Sequence, residues 1–322
     1  MRRAVWAGVD IGGTKTAVVL SPGLPRVMCR KEFPTLAAKG PERVLNLIVS
    51  SIRNSLAAQG LRAKDLKAIG VSCGSPQDSK AGIIQAPPNL WTWVDVPIKS
   101  ILESEFGAPC HLENDANACA IAEHRYGAGK GTRDMVFLTM GTGFGAGIIT
   151  GGRLYRGASD MAGEIGHVRL SRLGPVGCHK AGSVEGWASG SGLSQVATRA
   201  AADYRKRGQP TLLAKCLARN GIVTAQDVAD AVLNGDALAR RLVRATGRRL
   251  GETLAILVDV LNPELIVIGG LAMRFGDDLL QPALAVMSRE ALPGSAAVCR
   301  VVPAALGERV GDIAALCVAK CR

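Results

Sequence analysis

Val9-Asp10-Ile11-Gly12-Gly13-Thr14-Lys15-Thr16 and Leu138-Thr139-Met140-Gly141-Thr142-Gly143-Phe144-Gly145 are two versions of one device. In each, an apolar strand enters a Gly/Thr turn and leaves at once as a second strand, Ala17-Val18-Val19-Leu20 after the first and Ala146-Gly147-Ile148-Ile149 after the second. The spacing predicts two hairpins. Glycine lets backbone amides crowd around an anion, threonine adds hydroxyl donors, and Asp10 is placed to hold a magnesium ion through water. A dinucleotide fingerprint or a Walker A loop has to feed a helix whose N-terminus faces the phosphate, whereas β-formers resume here. Either turn alone is equally well read as a plain tight turn. Their recurrence at equivalent places in two halves favours two phosphate clamps gripping one nucleoside triphosphate.

With 322 residues, 48% of them hydrophobic, the chain has material for a large core and two domains. Only Arg2 and Arg3 precede the first strand, and no apolar run is long enough to span a bilayer, so a cytoplasmic protein without a membrane partner is expected. The nine cysteines (29, 73, 110, 119, 178, 216, 299, 317 and 321) form no disulfide framework and read as small core residues. A net charge of +12, with clusters such as Arg205-Lys206-Arg207, Arg240-Arg241 and Arg248-Arg249, raises a nucleic-acid partner. Those clusters fall on predicted helices, and 4% aromatic residues offer little stacking surface, so no nucleic-acid partner is expected.

Hydrophobic spacing predicts a helix from about Glu42 to Gln59, a strand over Leu66–Ser72 and a short helix near Ile98–Phe106. A strand over Pro109–Glu113 then runs into a helix ending near Tyr126. Gly127-Ala128-Gly129-Lys130-Gly131 reads as a linker, dividing the chain into domains at 1–126 and 127–306, after which the strand-hairpin-strand pattern starts again. The stretches from Gly74 to Trp93 and from Gly157 to Gly192 read as irregular, and loops of that length are usually functional. Leu250, Leu254, Leu257 and Leu261 mark the core face of a helix stopped by Asn262-Pro263. Leu265-Ile266-Val267-Ile268 then delivers Gly269-Gly270 to another helix, where a base or ribose can pack on bare backbone. Alternating strands and helices in two similar halves describe an α/β protein with a cleft between them.

Asp115, in Glu113-Asn114-Asp115-Ala116-Asn117, follows a strand and opens a helix, so its simplest reading is an N-cap. A carboxylate at that strand end also faces the cleft and can take a proton from a hydroxyl attacking a γ-phosphate, with Asn114 orienting the acceptor. The two roles are compatible. Gly163-Glu164-Ile165-Gly166-His167 and Glu185 supply hydrogen-bond partners suited to a polyol. His167, Cys178 and His179 lack the spacing of a zinc site.

Together these motifs resemble the ROK family of bacterial sugar kinases and repressors over essentially the whole chain. The resemblance implies two similar domains of the actin-like, hexokinase-like ATPase fold, which is ribonuclease H-like, with a helix at about 307–322 packing back on the first. It implies ATP and Mg2+ as cofactors, phosphate contacts from Asp10, Gly12, Gly13, Thr14, Lys15, Thr139, Gly141, Thr142 and Gly143, and adenosine contacts from Gly269 and Gly270. Asp115 would be the general base, with sugar hydroxyls held by Asn89, Asn114, Asp115, Glu164, His167 and Glu185. A hexose is the implied substrate, glucose at its 6-hydroxyl first, with fructose, allose, mannose or an N-acetylhexosamine as alternatives, and a homodimer is usual. Two departures stand out. Val176, Cys178 and Ser183 fall where the family's zinc-binding CxCGxxGC cysteines belong, so structural zinc is not expected, and Gly74-Ser75-Pro76-Gln77 departs from GxPG. Repressors of the family carry a winged helix-turn-helix before the first phosphate motif, for which this chain has no room. An enzyme is therefore expected over a regulatory or purely sugar-binding protein.

Overall fold

The structure, a computed structural model, describes residues 4–320. Arg2, Arg3, Cys321 and the end of the helix expected to reach 322 lie outside the described residues. The first half contains β1 (Val5–Ile11), β2 (Lys15–Ser21), β3 (Cys29–Pro34), α1 (Glu42–Ala58) and β4 (Leu66–Cys73). A small hairpin, β5 (Gln77–Asp78) and β6 (Ile83–Ile84), precedes α2 (Ile98–Phe106), β7 (Cys110–Asn114) and α3 (Asp115–Tyr126). The second half opens with β8 (Met135–Met140), β9 (Phe144–Thr150), β10 (Arg153–Tyr155) and the hairpin β11 (Val176–Gly177) and β12 (Lys180–Ala181). Helices α4 (Val184–Ala188), α5 (Gly190–Lys206), α6 (Leu212–Asn220), α7 (Ala225–Leu233) and α8 (Ala237–Leu261) lead to β13 (Leu265–Ile268). The chain closes through α9 (Leu271–Phe275), α10 (Asp277–Glu290), α11 (Pro293–Val298), β14 (Arg300–Pro303) and α12 (Val310–Lys320).

The sheets are ordered β3-β2-β1-β4-β7 and β10-β9-β8-β13-β14. Directions match as well: each is antiparallel through its first three strands and parallel through its last three. The duplicated motif thus belongs to a duplicated sheet.

Period-two alternation sorts the faces of β1. Val5, Ala7, Val9 and Ile11 join a core with Val44, Ile48 and Ile52 of α1 and Ile98 and Leu102 of α2. Trp6, Gly8 and Asp10 face the other way, toward α12. Gly8 pairs in register with Gly70 of β4. A Cβ on Gly8 would lie 2.9 Å from the Leu316 nitrogen, and one on Gly70 would overlap the Ala315 carbonyl, so bare backbone lets α12 lie directly on two strands. Small residues do the same between helices: Ala118 and Ala122 of α3 meet Ala314 and Cys317 of α12. On the second sheet Val136, Leu138 and Met140 enter a separate core with Leu250, Leu254 and Val258 of α8.

Several expectations need correction. The stretch 157–192 is not wholly irregular, since β11, β12, α4 and the start of α5 lie within it. Leu261 leaves the core stripe and is 37% exposed, because α8 ends there with Asn262 in the left-handed region at φ 45°. Gly127–Gly131, read as a linker, is held by hydrogen bonds. Gly127 and Gly129 donate to the Glu123 carbonyl at 3.0 Å, and Ala128 donates to the buried Glu123 carboxylate at 2.8 Å. That carboxylate also accepts from Leu306 at 2.8 Å and Ala305 at 3.2 Å. Among the described residues no cysteine forms a disulfide. Among the described residues no helix is long and apolar enough to cross a membrane.

Candidate active site

Parallel strands β1, β4 and β7 end at one edge, where an open α/β sheet offers a ligand crevice. Their register places Asp10 beside Ser72 and Ser72 beside Glu113, one polar row that the adjacent Asn114 and Asp115 carry into the cleft. Asn114, not Asp115, is the N-cap of α3: its Oδ1 accepts from the Asn117 amide at 3.1 Å and its Nδ2 donates to Ser75 Oγ at 2.8 Å. Asp115 therefore sits at the first helical position, freed from the capping role, with Oδ1 accepting from the Ala116 amide at 2.8 Å.

The first turn is braced from outside. Gly12 donates to the Lys15 carbonyl at 3.0 Å, while Thr35 Oγ1 donates to the Gly12 carbonyl at 2.7 Å. Lys15 is exposed and pairs with Glu32 at 3.0 Å, and Arg30 links Glu32 to Asp312 on α12. The second turn, with Thr139 on the strand entering it, docks on the start of α5, where Gly190 and Ser191 donate to the Gly141 and Thr142 carbonyls at 2.8 and 3.2 Å. Gly270, at φ 67°, packs so closely on Met140 that any Cβ would strike its carbonyl. Gly269 and Gly270 thus lie against the second turn. A cavity of about 450 Å³ is lined by Gly13 and Thr14 of the first turn, Thr142 of the second, and Lys39, Asn89 and Trp91. The two turns face each other, with Asn89 packed against Gly13.

Acidic groups converge behind them. Burial, then the neighbouring Asp115 charge, raises the Asp10 carboxyl to about 6, against smaller opposing effects of the Ser72 hydroxyl and Lys15. Asp115 is likewise raised, by the protein packed around its carboxyl, although the residue keeps an exposed surface. Glu164 is raised by burial first, then by Asp115 and Glu185, while His167 and the Ser75 hydroxyl pull it down. Ser75 therefore joins Asn114 to Glu164. His167 Nε2 lies 3.9 Å from Glu164 Oε2. Glu185 is fixed by backbone donors, Phe144 at 3.1 Å and Cys178 at 2.8 Å, which tie it to the second turn. Burial and Glu185 push the Cys178 thiol to about 12, so it stays protonated. Among the described residues no three His, Cys, Asp or Glu side chains form a metal cluster. Two facing acids at raised pKa do suit a hydrated divalent cation, whose charge would relieve their repulsion.

The structure brings Asp10, Asp115, Glu164, His167 and Glu185 into one electrostatic neighbourhood and sets both turns at its mouth. It adds three residues the sequence reading missed: Ser75, Asp312 and Arg156. Arg156 grips Glu113 through Nε at 2.9 Å and Nη2 at 2.6 Å. No motif marked it.

Twin sheets with opposed hairpin turns and an acidic cleft define an ATPase of the actin-like fold. The chain belongs to the ROK family, whose profile matches residues 6–321. It is 34% identical over 312 residues to the glucokinase of Halalkalibacterium halodurans, covering 96% of this chain and 92% of that protein. The ROK hexokinase of Thermus thermophilus superposes with a TM-score of 0.78 at 32% identity, over 98% of this chain and 97% of that one. A ROK family glucokinase from Streptomyces griseus, solved with glucose and AMPPNP, superposes with a TM-score of 0.81 at 30% identity, over 98% and 99% of the two chains.

Proposed function

We propose that the protein is an ATP-dependent hexose kinase that phosphorylates glucose first, at its 6-hydroxyl. The observation that carries this reading is the cavity shared by Gly13, Thr14 and Thr142, together with Asp10 and Asp115, which interact at the ends of the strands leading into the first turn and α3. Gly12, Gly13, Thr14 and Lys15 would hold the terminal phosphates from one side and Thr139, Gly141, Thr142 and Gly143 from the other, with adenosine on Gly269 and Gly270. Asn89, Asn114, Glu164, His167 and Glu185 would position the sugar. Asp115 then takes the proton of the attacking hydroxyl as its oxygen bonds to the γ-phosphorus and the bond to ADP breaks. A magnesium ion held through water by Asp10 would neutralise charge on the phosphates. Bringing the halves 1–126 and 127–306 together excludes water and suppresses idle hydrolysis. The known relatives named above support the activity class; fructose, allose, mannose and N-acetylhexosamines are the alternative acceptors. A homodimer working in the cytoplasm completes the proposal.

The test is a coupled ADP assay with purified protein, magnesium-ATP and a panel of these sugars, with light scattering for the dimer. Glucose is expected to give the highest kcat/KM, with one ADP formed per sugar phosphorylated. Absence of sugar-dependent ADP with every member of the panel would refute the reading.

A further inference from the structure

We infer that Arg156 is a positioning residue for the proposed catalytic aspartate, acting through Glu113 and binding the turn 113–117 to the loop that carries Glu164. Glu113 has a side chain only 1% exposed, and a carboxylate so enclosed needs a cation and several donors. Arg156 supplies two of those donors, Nε and Nη2, both to Oε2, which pins that oxygen with two charge-assisted bonds. Oε1 is thereby left facing the helix start, where it accepts from the Asn114 amide and from Asn117 Nδ2, each at 3.1 Å. Asp115 lies between those two anchors. The backbone of Arg156 works on the other side: its carbonyl accepts from Ala162 at 3.0 Å, closing the loop that ends in Gly163-Glu164. The Gly163 carbonyl in turn accepts from Ala146 of β9 at 2.9 Å. One residue thus sets the proposed base and a proposed sugar carboxylate in a common frame. The same loop makes a second bridge to the first half, from Ser79 Oγ to Asp160 Oδ2 at 2.6 Å, which does not touch Glu113.

The kinetic arm of the test rests on the kinase reading; a crystallographic arm does not. Arg156→Met is expected to lower kcat about 10- to 100-fold, since small misplacements of a catalytic group cost that much, while KM for ATP stays within about threefold. Arg156→Lys, which keeps charge but loses the paired donors, is expected to recover part of the loss. Asp160→Ala breaks the neighbouring bridge alone and is expected to keep parental kcat. Parental kcat in folded Arg156→Met, a Lys variant no better than Met, or an equal loss in Asp160→Ala would each overturn the inference. A parent inactive with every sugar sinks the kinase reading, and a crystal structure of Arg156→Met then decides. A displaced Asp115 side chain with the bonds from Oε1 broken supports the positioning role; an unmoved 113–117 turn overturns it.

Discussion

Replacing Asp10 with asparagine removes a charge that the folded protein holds at a cost. The carboxyl rises from 3.8 to about 6 on folding, chiefly through burial and then through Asp115. Each pKa unit corresponds to about 1.4 kcal/mol, so ionised Asp10 opposes folding by about 3 kcal/mol in the absence of metal and nucleotide. The sign follows from proton uptake. Because the folded state binds this proton more tightly than the unfolded chain, the parent loses stability as pH rises from about 4 through about 6, then levels off. A carboxamide does not titrate, so in the Asp10→Asn variant that loss disappears. Urea denaturation with a chelator present, at about pH 4 and about pH 7.5, measures the difference between variant and parent, in which the protein's other titrations largely cancel. The variant is expected to gain about 2.4 kcal/mol on the parent between the two pH values, because at about pH 4 the unfolded carboxyl is already more than half ionised. Saturating magnesium-ATP should erase or reverse that gain, because a ligand bound only by folded parent at about 100 times its Kd stabilises by about 2.7 kcal/mol. A gap that does not change with pH would refute the argument.

Asp115→Ala is expected to lower kcat by about 100- to 10,000-fold while calorimetry shows glucose affinity little changed; parental turnover would exclude it as the base. In the parent, the raised Asp115 pKa predicts that kcat falls with decreasing pH at a limb above the ordinary carboxylate range, because only the ionised form accepts the proton. A kcat flat down to about pH 4 would contradict this. Gly70→Ala forces a methyl group into the α12 backbone and is expected to cost about 2 kcal/mol or more, read as a lower Tm and urea midpoint; an unchanged Tm would show that the helix is free to shift.

What the sequence disclosed was local. Glycine, threonine and abrupt β-patterning mark a hairpin turn within eight residues, and both turns lie where those residues put them, even to the cavity they share. Helix limits were similarly readable where caps are local, as at Asn262. The cap of α3 was misread because Asn114 and Asp115 are adjacent and equally able to cap; only the turn's geometry gives that task to Asn114 and leaves Asp115 to the cleft. Contacts set by topology left no trace. Arg156 reaches Glu113 across 43 positions, and Arg30 reaches Asp312 across 282, with no spacing rule to link them. Lys15 reads as a phosphate ligand from its motif, yet its partner Glu32 comes from a neighbouring strand whose pairing no local pattern reveals.

Glu123 has a mechanical consequence. The two chain segments that pass between the sheets, after α3 and before α12, are both held by its carboxylate, through Ala128 on one and Ala305 and Leu306 on the other. One buried carboxylate therefore ties the two crossings to each other, and backbone donors on both depend on it.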